Sequence, residues 1–271
     1  MFAQHWYYDL IIYIYALSLL FAFSDLLQPN RRNRRLALAF LVAVWFCQTA
    51  FLAWKAFEQF PLLTGMDSLL FYSWALVTAT LIIDWVARIH FFVFAANLVG
   101  FAILAIHFFA SPEAQSPVAE VLLSELVYIH VTLAFLAYAF FSLSTVFAVL
   151  YLVGNRLLKQ KRWNQTLRRL PSLGRLQLFS HRSNMAGVPL LMMALILGMV
   201  WARETMEMSH LLDLKVAGSL LVLGAYSTSL YQRLRKCWSG SRLAWWNTFA
   251  FLTIVVNYLL SNTGLSFHRW L

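Results

Sequence analysis

Eight stretches of this 271-residue chain run long and almost uncharged, at 10–27, 36–54, 68–87, 90–110, 126–152, 184–202, 214–231 and 243–260. A helix that crosses a bilayer needs about 20 mostly apolar residues, because it rises roughly 1.5 Å per residue through a hydrocarbon core roughly 30 Å thick. Inside hydrocarbon every backbone N–H and C=O must find a partner within the protein, which leaves helices and closed barrels as the only spanning forms. These runs are too long for barrel strands, and no period-two alternation marks one. The expectation is therefore an all-α, polytopic membrane protein: one integral-membrane domain over 1–271, built as a bundle of eight transmembrane helices. Composition agrees, with 61% hydrophobic and 12% charged residues, against roughly 45–50% and about 25% in soluble domains. A water-soluble fold of this make-up would expose far more apolar surface than such proteins tolerate.

The net charge of +10 reports orientation rather than a nucleic-acid partner, and none is expected. Arg31, Arg32, Arg34 and Arg35 fill the first linker, and Arg88 follows the third helix. Eight bases (Arg156, Lys159, Lys161, Arg162, Arg168, Arg169, Arg175 and Arg182) lie in the 153–183 loop, and Arg233, Arg235, Lys236 and Arg242 in the last linker. With alternating helices, 17 of the 21 Lys and Arg fall on one side, against Lys55, Arg203, Lys215 and Arg269 on the other. Basic loops stay in the cytoplasm, so both termini are expected outside a bacterial cytoplasmic membrane crossed many times. No Lys or Arg precedes Arg31, so the first apolar segment lacks the basic start of a signal peptide and reads as a retained helix. Of the acidic residues only Asp25 and Asp84 lie toward the cytoplasm. Cys47, in helix 2, and Cys237, in a cytoplasmic linker, cannot pair in this topology, and no C-x-x-C-H attaches haem covalently.

Five of the seven histidines, His5, His107, His130, His210 and His268, fall near the outer boundary; His90 and His181 fall toward the cytoplasm. A single histidine near a helix end is most often interfacial. As a group they point further, because imidazole is a common axial ligand of haem iron and polar groups near hydrocarbon tend to be functional. Trp6, Trp54, Trp201 and Trp270 fit an outer aromatic belt; Trp85, Trp163, Trp238, Trp245 and Trp246 fit an inner one. Trp45 and Trp74 should pack within the bundle, Asn97 and Asn257 should hydrogen-bond between helices, and Pro189 should kink helix 6. Paired charges at mid-membrane, expected of a pump, are missing, as are motifs for nucleophilic catalysis or phosphate binding, so no enzyme is expected. His210 near Glu204, Glu207 and Asp213 is too loosely spaced for a zinc site.

Several strings together resemble the cytochrome c assembly family, whose members include CcsA- and CcmC-type proteins, and within it the HemX-type branch. They are Met66–Trp74 opening helix 3, Ile129-His130-Val131-Thr132, Arg169-Leu170-Pro171-Ser172-Leu173, Gly187-Val188-Pro189-Leu190-Leu191 leading to Gly198–Ala202, and Asn257-Tyr258-Leu259-Leu260 followed by Ser266-Phe267-His268. The resemblance implies non-covalent haem, held by two external histidines that match His130 and His268. It also implies a Trp-rich stretch between helices 6 and 7. Here 201–215 keeps Trp201-Ala202, with Asp213 and Lys215, but lacks the inner tryptophans that would stack on a porphyrin. Trp201, His210 and Asp213 are therefore minor candidates beside the two histidines. Two functions follow: handling haem at the outer leaflet with other cytochrome c assembly proteins, or HemX-type control of glutamyl-tRNA reductase level and so of tetrapyrrole synthesis. In the second, the basic 153–183 loop would dock the reductase. As a charged surface, that loop also suits an acidic partner or anionic membrane lipid, though such loops mostly enforce topology.

Overall fold

The computed structural model describes residues 2–58, 65–87, 90–109, 125–161, 167, 169–205 and 214–261. Among them eight helices follow in order: α1 (Phe2–Leu27), α2 (Arg31–Glu58), α3 (Gly65–Ala87), α4 (His90–Phe109), α5 (Glu125–Lys159), α6 (Leu173–Thr205), α7 (Leu214–Leu234) and α8 (Gly240–Ser261). The architecture is all-helical, and five of the helices (α1, α2, α3, α5 and α6) are long and apolar enough to cross a membrane. Each helix coincides with one of the eight apolar stretches, and most run past it. The largest departure is at 153–183, which the hydropathy suggests is a loop. Instead α5 continues to Lys159, and α6 begins at Leu173 and runs unbroken through Pro189. Hydropathy marks where a helix is buried in hydrocarbon; backbone hydrogen bonding continues past that point wherever Lys, Arg and Gln, all good helix formers, follow.

The chain divides into two compact units, α1–α4 and α5–α8. In the first, Ile11 and Tyr15 of α1 pack with Leu41 and Val44 of α2, Leu70 of α3 and Leu104 of α4. Lipid tails are as apolar as leucine, so helices in a membrane are held by close packing and by hydrogen bonds between them. Trp45 and Trp74 provide a reciprocal pair. Trp45 Nε1 donates to Thr78 Oγ1 and Trp74 Nε1 to Thr49 Oγ1, each at 2.9 Å. Each threonine in turn donates to the backbone carbonyl of the tryptophan one turn earlier on its own helix, Thr49 to Trp45 and Thr78 to Trp74, at 2.7 Å. Both indoles thus sit inside the unit, as expected. Tyr15 donates to Asn97 Oδ1 at 3.0 Å, tying α1 to α4, and Gln48 donates to Ser73 at 3.1 Å.

In the second unit α5 lies against α6 along much of its length, and α8 packs on both α5 and α7. Glycines set the close approach of α5 to α6. A Cβ on Gly187 would stand 2.6 Å from Cε1 of Phe141, whose ring stacks on Tyr226 with centroids 3.9 Å apart. Asn257 donates to Ser219 at 3.1 Å and to Tyr138 at 3.4 Å, joining α8 to α7 and α5.

Candidate functional site

The N-terminal end of α5 meets the C-terminal end of α6, and His130 lies at this junction. Ala194 and Gly198 are one turn apart on the same face of α6. The His130 ring spans them: Nδ1 is 2.5 Å from the Ala194 carbonyl oxygen. A Cβ on Gly198 would stand 2.6 Å from Cε1 and 2.8 Å from Nδ1 of the ring. The ring therefore fits only because residue 198 has no side chain. A backbone carbonyl can only accept, so Nδ1 carries the proton and donates, leaving the lone pair on Nε2. Hydrogen bonding of one imidazole nitrogen to a backbone carbonyl is the arrangement that fixes the tautomer and aim of metal-ligating histidines. An imidazole held in this way could give its Nε2 lone pair to a metal.

Beside it Val127 and Val131 of α5 pack with Trp201 of α6, backed by Phe135 and Ala202. Trp201 departs from the expected belt position. It is 8% exposed, whereas Trp6 and Trp54 are 58% and 51% exposed. Its place at the α5–α6 contact, invisible from its position near a helix end, turns the indole inward. Trp85 and Trp245, at 84% and 52%, are exposed as belt residues should be. His268, His210 and Asp213 fall outside the described residues, as do the side chains of His5, His90 and His107.

At the opposite end of the same unit is a polar node that sequence reasoning missed. Asn184 donates to Asn247 Oδ1 at 3.1 Å and Asn247 donates to Ser180 Oγ at 3.0 Å. Ser180 and Ser144 share a hydrogen bond at 2.9 Å, and Asn184 also reaches Ser229 at 3.5 Å. All four helices contribute, and all five residues are buried. The node forms the inner wall of a cleft that His181, Gln177 and Arg233 also line. The available signal was the isolated asparagines in otherwise apolar helices; Asn97 and Asn257 were read that way, Asn184 and Asn247 were not.

Residues 62–268 match the family described as cytochrome C assembly protein. The chain belongs to the cytochrome c assembly family. The match takes in α3 to α8, including both the His130 junction and the polar node, and it ends at His268. Among relatives in this family, the chain is 44% identical to "Protein HemX" of Brevibacillus brevis, with 98% of each chain covered. It is also 44% identical to "Protein HemX" of Bacillus subtilis (strain 168), over 95% of this chain and 94% of the relative. A more distant relative is "Cytochrome c biogenesis protein CcsA" of Guillardia theta, at 24% identity over 80% of this chain and 79% of that one. The expected resemblance is thus shown, and the spanning helices make the chain a multi-pass membrane protein.

Proposed function

We propose that this chain is a haem-binding integral-membrane protein that handles haem at the outer leaflet of the bacterial cytoplasmic membrane during cytochrome complex assembly. His130 and His268 are its axial ligands, with Trp201, His210 and Asp213 as minor contacts. One observation carries the reading: His130 is held as the Nδ1–H tautomer by the Ala194 carbonyl, with its Nε2 lone pair uncommitted to that bond. When bound, the haem iron would accept that lone pair. Ala194 aims the ring, Gly198 makes room for it, and Val127, Val131 and Trp201 keep water from its flank. A single domain of eight spans with both termini outside would put His130 and His268 at one face of the membrane. Support for cytochrome assembly comes from the family and from the printed name of the CcsA relatives. The test is a visible spectrum of the purified protein titrated with haem and then reduced. Wild type should give the Soret and α bands of a bis-imidazole haem, and combined His130→Ala and His268→Ala should remove them. Unchanged bands in the double variant would refute the assignment.

A second reading is favoured by the 44% identity to HemX proteins over nearly the whole chain, together with the missing inner tryptophans. It makes the chain a HemX-type regulator of glutamyl-tRNA reductase level, with the reductase docking at the basic residues of 153–183. Deleting the gene separates the two: altered reductase with intact c-type cytochromes supports regulation, and the reverse supports assembly.

A further inference from the structure

We propose that the basic end of α5–α8 carries a binding site for a phosphate-bearing anion, seated on Arg233 at the mouth of the cleft that ends at Asn184. The inference is independent of the haem reading.

Charge is the first ground. No Asp or Glu occurs between Glu125 and Glu204, and none follows Asp213. The basic ends of these four helices therefore have no carboxylate of their own to neutralise them. Arg175, Arg182, Arg235, Lys236 and Arg242 are exposed, whereas Arg233 is half-buried. Among the described residues its guanidinium donates to the Gln177 carbonyl, at a long 3.5 Å. A partly desolvated guanidinium without a carboxylate is a fork of donors suited to phosphate oxygens.

The shape of the cleft is the second ground. Its cavity measures about 20 Å³, room for a water or so and not for a phosphate. At its base Asn184, 1% exposed, uses its amide N–H groups on Asn247 and Ser229 while its Oδ1 has no partner. A buried acceptor left without a donor is costly, and the cavity has room for a water that would supply one. At the mouth His181 and Gln177 lie beside Arg233, and Gly240 brings in the first turn of α8, the positive end of that helix's dipole. Gly240 is needed for this approach, since a Cβ there would meet Tyr151 Oη at 2.5 Å and Gln177 Oε1 at 3.2 Å.

Position favours a lipid headgroup as the source. Trp238 packs edge-on against Trp246 with centroids 5.1 Å apart, and Trp245 is exposed beside them. Indoles gathered at a helix start mark the depth of the membrane interface, where phosphodiesters lie. A free phosphate or soluble phosphate ester has the same chemistry.

The test uses the full-length protein in a neutral detergent. Thermal unfolding is followed while phosphatidylglycerol, phosphatidylcholine or inorganic phosphate is added at matched ionic strength. Phosphatidylglycerol should stabilise wild type more than phosphatidylcholine does. Arg233→Gln should weaken that binding about tenfold, the loss typical of a charge-assisted contact, and the exposed Arg235→Gln should change it less than about twofold. Should inorganic phosphate reproduce the effect with the same dependence on Arg233, the site stands and its ligand is soluble. Equal losses in the two variants would mean a diffuse basic surface and would overturn the proposal, as would no loss in either. If Arg233→Gln does not fold, His181→Ala replaces it with about threefold weakening expected. Native mass spectrometry of wild type adds a check, because one phosphatidylglycerol should be retained per chain in preference to phosphatidylcholine; equal retention, with no Arg233-dependent effect of inorganic phosphate, overturns the proposal.

Discussion

Replacing Gly198 with alanine tests the His130 junction most directly. In an exposed helix the change is favourable by roughly 1 kcal/mol, since glycine is the poorer helix former. Here the added methyl would lie 2.6–2.8 Å from two atoms of the His130 ring, well inside contact distance. The ring must turn away, at about 0.5–1.5 kcal/mol for an off-rotamer side chain. It also gives up the bond to Ala194, at about 1–3 kcal/mol for a buried donor left unpaired. Set against the propensity gain, the expected outcome is a loss of roughly 2 kcal/mol, or about 4–8 °C in the unfolding midpoint of a chain this size. Gly224→Ala is the matched control, because a Cβ at Gly224 meets nothing within 4 Å; it should leave the midpoint unchanged or raise it. Thermal unfolding of both variants in one detergent decides the matter. If Gly198→Ala is as stable as Gly224→Ala, the ring is not lodged against α6 and the tautomer argument fails with it. The same variant should weaken haem binding, since a displaced ring no longer aims Nε2.

Two further outcomes follow from the same geometry. Asn247→Ala removes the bonds to Ser180 and Asn184 and should destabilise the α5–α8 unit by about 1–2 kcal/mol, at the modest value of hydrogen bonds within membranes; denaturant unfolding with a reporter on α6 or α8 would read it, and a change under a few tenths would mean the node is not formed. Cys237 is exposed at the basic end, whereas Cys47 is half-buried in α2. With the basic end in the cytoplasm, a membrane-impermeant maleimide should label Cys237 in inside-out vesicles and leave it unlabelled in right-side-out ones, and the opposite pattern would invert the topology.

How much of this was legible beforehand varied by element. All eight helices were, because a run of apolar residues in a membrane has no alternative way to satisfy its backbone. Their lengths were less so: α5 and α6 extend into the basic 153–183 stretch because a helix ends where its hydrogen bonding ends, and hydropathy reports only where lipid ends. Asn97 and Asn257 were expected to bond between helices, and they do. Asn184 and Asn247 are the same residue type in the same kind of setting, and only the packing of α5, α6, α7 and α8 against one another singles them out. Trp201 shows the converse error, since closeness to a helix end suggested the interface and the α5–α6 contact turned it inward.

Residue order alone therefore determined that this chain is helical and membrane-embedded, and which ends of its helices are basic, because those properties depend on each segment's own exchange with lipid and water. It also held enough of the family's pattern to carry the resemblance that the match over residues 62–268 bears out. Tertiary structure decided the rest: which ring nitrogen of His130 carries the proton, why position 198 has no side chain, and which of many cations stands half-buried with no carboxylate beside it among the described residues. Each of these depends on atoms far apart along the backbone, and their separation is set by how closely neighbouring helices approach.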